Sequence, residues 1–245
     1  MYFDAPKVKN EIIAWIADYF NNNGKGCLAV IGLSGGKDST VTAALCVKAL
    51  GAERVFAVLM PQGRQWDIDT AKEIAEFLKI KSCEINILDT VNSIVNAVEN
   101  AGNPLNETAR VNIPARVRMT LLYALSAIAC GRVANTGNLS EDYIGYSTKF
   151  GDSAGDFSPL SSLTATEVKA IGRELELPVR FIEKIPEDGL SGKTDEENFG
   201  FSYEILDRYI MEGICEDPEI KEKIDRLHKN NLHKSQHIPS YKICR

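Results

Sequence analysis

The residues with the plainest chemical potential run in one block, Gly32-Leu33-Ser34-Gly35-Gly36-Lys37-Asp38-Ser39. Glycines let backbone amides approach a ligand closely, and the first amides of a helix have no partner within it. A glycine turn that opens a helix is therefore a place for phosphate. Spacing narrows the kind of loop. A Walker A loop needs four residues between its glycines and a Ser or Thr after the Lys. Here Gly32 and Gly36 have three between them, and Asp38 follows Lys37. The dinucleotide pattern G-x-G-x-x-G is also absent, because Gly24-Lys25-Gly26 precedes the apolar run and has no third glycine. Asp38 adds a requirement of its own. A carboxylate beside phosphates repels them unless a cation lies between, which implies Mg²⁺. The plainer alternative for this stretch is a Gly-Gly turn with an Asp helix cap.

The elements that would carry this block can be read around it. Cys27-Leu28-Ala29-Val30-Ile31 is an uncharged apolar run, as in a strand buried on both faces. A helix from about 38 to 50 follows, with Val41, Ala44 and Leu45 inward and Gly51 as its stop. Before the run, Ile12, Trp15, Ile16 and Tyr19 repeat at helical spacing, giving an amphipathic helix over about 7–22 that the cluster Asn21 to Gly24 closes. Val55 to Met60 reads as a second buried strand ended by Pro61. Ala71, Ile74, Ala75 and Leu78 mark the next helix. Cys83, Ile85 and Ile87 alternate with polar residues, as in a strand nearer an edge. This βαβαβ order predicts an α/β, doubly wound, mostly parallel sheet whose ligand lies beyond the carboxyl ends of its strands. Attention therefore falls on Ser34 to Ser39 and on Met60 to Asp67.

Further along, a weakly charged helix is expected over 115–130, with Val117, Leu121, Leu125 and Ile128 on one stripe, as a core helix or a subunit contact. Arg132 to Thr136 would be a short fourth strand. Two glycine-rich stretches, Gly145 to Gly155 and Pro186 to Gly200, read either as solvated connections or as lids over a site.

Composition excludes several classes. The chain has 245 residues, enough for one α/β domain with a full core or for two small ones. Its net charge of -6 argues against a general nucleic-acid binder, which needs a basic face. No apolar run reaches membrane-spanning length, and the start lacks a signal peptide's regions, so a cytosolic protein is expected. Six cysteines (27, 46, 83, 130, 215 and 244) lie at least 19 residues apart with no CxxC, which favours reduced thiols over zinc or a dithiol motif.

Ser34-Gly35-Gly36-Lys37-Asp38-Ser39 resembles the SGGxDS signature of the pyrophosphate-loop ATPases, which split ATP between its α and β phosphates. Five further segments sharpen the likeness: 112–119 (Asn-Ile-Pro-Ala-Arg-Val-Arg-Met), 136–141 (Thr-Gly-Asn-Leu-Ser-Glu), 148–152 (Thr-Lys-Phe-Gly-Asp), 156–160 (Asp-Phe-Ser-Pro-Leu) and 194–203. With these, nearly the whole chain is similar to the ammonia-dependent NAD synthetases. The resemblance implies a Rossmann-like, adenine nucleotide alpha hydrolase-like sheet of five strands with helices on both faces. It also implies a single domain over 1–245, with a core over about 7–140 and substrate loops and C-terminal helices over about 141–245.

The implied reaction begins when the nicotinate carboxylate of deamido-NAD attacks the α-phosphate of ATP. Ammonia then displaces AMP to give NAD. In this family, ATP would be held by Gly32, Leu33, Ser34, Gly35, Gly36, Lys37, Asp38, Ser39, Met60 and Thr136. Mg²⁺ would be held by Asp38 and Glu141. Arg116, Lys149, Asp156, His233 and Lys234 match deamido-NAD positions, and Asp38, Ser34 and Lys149 would be catalytic. A homodimer is implied, with helix 115–130 a candidate contact, and the chain has no room for a glutaminase domain. Two departures stand out. Ala165 occupies the place of a usual ATP-contacting lysine, whose role could pass to Lys193 or Lys169, and Glu187 stands where Ser or Thr is usual. Other readings are a pyrophosphate-loop enzyme with a different acceptor, GMP-forming or tRNA-modifying, and a nucleotide sensor without turnover.

Overall fold

The computed structural model describes residues 3–64, 68–183 and 194–243. The chain opens with α1 (Ala5–Asn23), which starts where the Asp4 side chain accepts the Lys7 amide and Pro6 fills the first turn. It ends at Gly24 and buries Ile16 and Phe20. Then come β1 (Leu28–Gly32), α2 (Lys37–Leu50), β2 (Val55–Leu59), α3 (Ile68–Phe77) and β3 (Lys81–Glu84). Next are α4 (Leu88–Asn100), α5 (Glu107–Ile128), β4 (Gly131–Val133) and α6 (Leu139–Ile144). The remaining helices are α7 (Ala165–Glu174), α8 (Val179–Ile182), α9 (Asp195–Phe199), α10 (Tyr203–Glu212) and α11 (Pro218–Ser235).

The strands form one parallel sheet in the order β3-β2-β1-β4. Val30 of β1 pairs with Phe56 on one side and Val133 on the other. Alternate residues serve opposite faces. Ala29 and Ile31 pack with Ile16, Phe20, Val41 and Leu45 under α1 and α2, while Val30 and Val58 pack with Val91, Val117 and Leu122 under α4 and α5. Helices on both faces and a crossover order make this the doubly wound arrangement that the βαβαβ reading anticipated.

Five strands were expected, and among the described residues the sheet has four. Where a fifth would lie beside β4 there is a single parallel bridge between Ala134 and Phe157. The Asn135 amide donates to the Phe157 carbonyl at 2.8 Å, and the next rung would need an N–H on residue 159. That residue is Pro159, which has none.

The helix expected over 115–130 is longer and differently faced. It begins at Glu107, capped by Asn106, and carries Pro114 inside it. Its buried residues are Pro114, Val117, Met119, Leu122 and Ser126, whereas Ile128 is 82% exposed. In the last turn Ser126 is buried beside Gly131 of β4, and Ile128 lies on the other side of the helix, facing solvent. β3 is an edge strand as anticipated, and its pairing continues as the Ile85 and Ile87 amides reach the carbonyls of Leu59 and Pro61. Among the described residues no helix is long and apolar enough to cross a membrane.

Candidate active site

The turn from β1 into α2 is built by its own side chains. Gly35 has φ +84, a conformation costly for any residue with a Cβ. Ser34 Oγ accepts the Gly36 amide at 3.2 Å and lies 3.1 Å from Ser39 Oγ, which in turn donates to the Gly36 carbonyl at 3.1 Å. Thr40 Oγ1 donates to the same carbonyl at 2.7 Å. The loop is thereby tied to the first turn of α2 before any ligand arrives. With the helix dipole behind it, this corner is a preorganised anion cradle.

The cradle opens into a cavity of about 580 Å³ at the carboxyl ends of β1 and β2. Of the residues anticipated for ATP, Gly32, Leu33, Ser34, Gly36, Lys37, Asp38, Ser39, Met60 and Thr136 line it, and Gly35 stands behind them in the turn. Glu141 and Lys234 line it too. The opposite wall comes from Asn112, Ala115 and Arg118 of α5 and from Tyr146, Thr148 and Asp152. Arg118 Nε donates to the Met60 carbonyl at 3.1 Å, joining the two walls.

Asp38 and Glu141 come together through Asn138, a residue given no role by the sequence reading. Its Nδ2 donates to Asp38 Oδ1 at 3.1 Å, and its Oδ1 caps α6 by accepting the Glu141 amide at 3.1 Å. Burial and then the charge of Asp38 push the Glu141 carboxyl well above the usual carboxylate range. Two close carboxylates, one of them poorly solvated, form a donor set that fits a hard divalent ion. Among the described residues no three His, Cys, Asp or Glu side chains gather as a closed metal cage. Such an ion would thus complete its shell with phosphates and water. The Asn-x-x-Glu spacing of a helix cap was the available signal for Asn138.

The residues anticipated for the acceptor are distributed differently. Only Lys234 lines the cavity; its Nζ donates to the Gly145 carbonyl at 2.7 Å, and burial lowers its pKa. Arg116, Lys149 and His233 stand behind it as a relay. Arg116 Nε donates to the Lys149 carbonyl at 3.2 Å, and Lys149 Nζ to the His233 carbonyl at 2.6 Å. Asp156 lies in a second, polar cavity of about 380 Å³ that shares Ser147 and Lys234 with the first. Its carboxylate accepts the Val133 amide at 2.7 Å and the Tyr123 hydroxyl at 3.3 Å, so it caps β4. The stretch 145–155 is no solvated connection. Thr148 Oγ1 donates to Asn112, its amide donates to Asp152, and Asn135 Nδ2 donates to the carbonyls of Asp152 and Ala154.

Ala165 is buried against Phe199, Phe201 and Tyr203, and its amide donates to Ser140 Oγ. Lys169 is ion-paired with Glu183 at 3.2 Å, away from the cradle, and Lys193 and Glu187 lie outside the described residues. A cation does stand near Ala165, but on α2. Lys37 Nζ lies 5.4 Å from the Tyr203 ring centre and 2.6 Å from Asp38 Oδ2.

Comparison with known proteins agrees with this geometry. Residues 8–242 match the NAD synthase family. The chain is 36% identical over 238 residues to an NH3-dependent NAD(+) synthetase of Pyrococcus furiosus, covering 91% of each chain. Among solved structures it is similar to an NMN synthetase from Francisella tularensis, with TM-score 0.91 and 31% identity over 99% of this chain and 100% of the other. It is also similar to an NH3-dependent NAD synthetase from Campylobacter jejuni, with TM-score 0.79 and 28% identity over 98% and 100%.

Proposed function

We infer from the NAD synthase family, to which this chain belongs, that it is an ATP-dependent ligase completing NAD by amidation with ammonia. A carboxylate oxygen of deamido-NAD attacks the α-phosphorus of ATP, and the bond to the β-phosphate oxygen breaks to release pyrophosphate. The nitrogen of ammonia then attacks the acyl carbon, AMP leaves, and the nitrogen gives up a proton to form the amide. The substrate supplies the first nucleophile, so the protein needs no activated Ser or Cys. Its work is alignment and charge stabilisation.

Residues 32–39 would hold the phosphates, with the Ser34 and Ser39 hydroxyls and the free amides of α2 as donors, and Met60 and Thr136 against the nucleoside. Asp38 and Glu141 would hold Mg²⁺, whose chemistry is to neutralise charge developing on the phosphates. Lys234 would meet the acceptor's anionic groups, with Arg116, Lys149 and His233 fixing its place and Asp156 holding the adjoining strand end. Participation of both 7–140 and 141–245 supports a single catalytic unit, and the need for ATP suits the cytosol. The half-buried Leu121 and Leu125 and the exposed Ile128, at i, i+4 and i+7 on α5, supply an apolar face for a homodimer. A light-scattering mass near 27 kDa would remove that part of the reading.

The observation that carries the proposal is the convergence of the Ser34–Ser39 cradle, Asp38 and Glu141 on one cavity. The test is incubation with ATP, Mg²⁺, ammonium and deamido-NAD. Equal yields of NAD, AMP and pyrophosphate are expected, and no NAD would sink the reading. One observation favours a second acceptor. The likeness to the NMN synthetase, at TM-score 0.91, exceeds that to the Campylobacter NAD synthetase, at 0.79. The same site would then amidate nicotinate mononucleotide. Measured kcat/KM for the two nicotinates decides between them.

A further inference from the structure

Lys37 is the least expected side chain in the cavity. It is the first residue of α2, where the helix dipole already presents positive charge, and it is 2% exposed. Burying an ammonium there is costly unless it is well paired. The pairing is with the carboxylates of the phosphate site. Nζ donates to Asp38 Oδ2 at 2.6 Å, and Glu141 and Asp195 line the same cavity. Tyr203 closes the box with its ring face toward Nζ, and its hydroxyl donates to Asp195 Oδ2 at 3.1 Å. Four elements thus surround one ammonium: α2, α6, α9 and α10.

The consequence lies in what is left of Asp38. Its Oδ1 is bound by Asn138 and its Oδ2 by Lys37, so one of its two oxygens is held by a cation. A divalent ion entering between Asp38 and Glu141 would meet that cation a few ångströms away, at a repulsion the partly dry site screens weakly. The relief available is the nucleotide itself. Lysine carries its charge on a flexible four-carbon stem, and Lys37 lines the same cavity as the phosphate cradle.

We propose that Lys37 is a resident counter-ion of the Asp38–Glu141 site: it neutralises Asp38 in the nucleotide-free protein and transfers to the phosphates as the divalent cation takes Asp38. The inference rests on the reading of Asp38 and Glu141 as cation ligands and is indifferent to which nicotinate is the acceptor. It makes Lys37 a positioning residue for the metal. Metal and nucleotide then bind together, and the free protein holds a divalent ion poorly.

Mn²⁺ is a spectroscopically visible probe for this test. It is titrated, without nucleotide, into the wild-type protein and into Lys37→Met, Lys37→Gln and Lys37→Arg, with free ion counted by electron paramagnetic resonance and folding followed by thermal melting. Removal of the charge should tighten Mn²⁺ binding by about tenfold or more, while Lys37→Arg stays weak. Adding Glu141→Gln to Lys37→Met should abolish the gain. A merely structural role would lower melting temperature and leave Mn²⁺ affinity where it was. Equal Mn²⁺ affinity in a folded Met or Gln variant and the wild type overturns the proposal. If Asp38→Asn and Glu141→Gln also leave Mn²⁺–ATP binding unchanged, the metal-site reading fails with it. If they weaken that binding, only the role of Lys37 falls.

Discussion

The phosphate side of the cavity and its acceptor side are made in opposite ways. On the phosphate side, eight consecutive residues form a cradle whose hydrogen bonds are mostly local, Ser34 to Gly36, Ser39 to Gly36 and Thr40 to Gly36. On the acceptor side, Lys234 of α11 reaches Gly145 across 89 residues of sequence, and its support passes through His233, Lys149 and Arg116. The first region depends on backbone conformation and tolerates little change in any residue. The second depends on a relay of side chains to carbonyls, in which a member can be lost with only partial damage. A site of this kind holds the common part of its chemistry rigidly and leaves its choice of acceptor to the more adjustable wall.

The largest effect should come from Asp38→Asn. It keeps the bond from Asn138 and removes the charge that both the cation and Lys37 require, so kcat should fall by about 10³-fold, roughly 4 kcal/mol. A loss below about tenfold would mean that the phosphate side does not depend on this carboxylate. Gly35→Ala comes next. At φ +84 a Cβ costs about 1–2 kcal/mol, and relaxation of that strain would move the amides that face the phosphates. Denaturant melts should show the stability loss, and the KM for ATP should rise while that for the acceptor holds.

On the acceptor wall, Lys234→Met should raise the acceptor KM about tenfold with little change for ATP, the mirror image of Gly35→Ala. Burial lowers the pKa of Lys234, and only its protonated form attracts an anion. Acceptor affinity in the wild type should therefore decline on the alkaline side before an ordinary lysine would lose its proton, and Lys234→Met should lack that decline. If both variants raised both KM values alike, the two walls would not be separable.

This contrast also explains what could be read in the sequence. The apolar run before Gly32, the glycine spacing and the helix after Lys37 are neighbours in the chain, so local chemistry alone located the cradle and the parallel sheet that bears it. The edge position of β3 was legible from the alternation of Cys83, Ile85 and Ile87 with polar residues. The missing fifth strand turns on one absent N–H at Pro159. The exposure of Ile128 depends on which side of α5 meets the sheet, where Ser126 takes the buried place. Asn138 and Lys37 lie within the motifs, but Asp38, which Asn138 meets, and Asp195 and Tyr203, which surround Lys37, come from other elements than theirs, and no periodicity brings those together. Arg116 and Lys149 have side chains suited to an anionic substrate, and Asp156 has one suited to that substrate's hydroxyls. What the sequence could not show is that the chain spends that chemistry on its own backbone.

Asp156 is where the comparison can be broken most cleanly, and its effect on catalysis should be the smallest. Its Oδ2 takes the Val133 amide at 2.7 Å on the outer side of β4, a donor the lone bridge at Ala134 leaves without a strand partner. Its Oδ1 takes the Tyr123 hydroxyl, whose pKa burial and then the charge of Asp156 push up to about 12. Asp156→Ala would free a backbone donor and a phenol at once, at a cost of about 1–3 kcal/mol in stability. For a chain of this size that is a melting shift of roughly 2–4 °C per kcal/mol. The KM for the acceptor should stay within about threefold, because the carboxylate faces the second cavity and both its oxygens are occupied. A rise as large as that of Lys234→Met, with the melting curve unmoved, would transfer Asp156 from the frame of the sheet to the acceptor site.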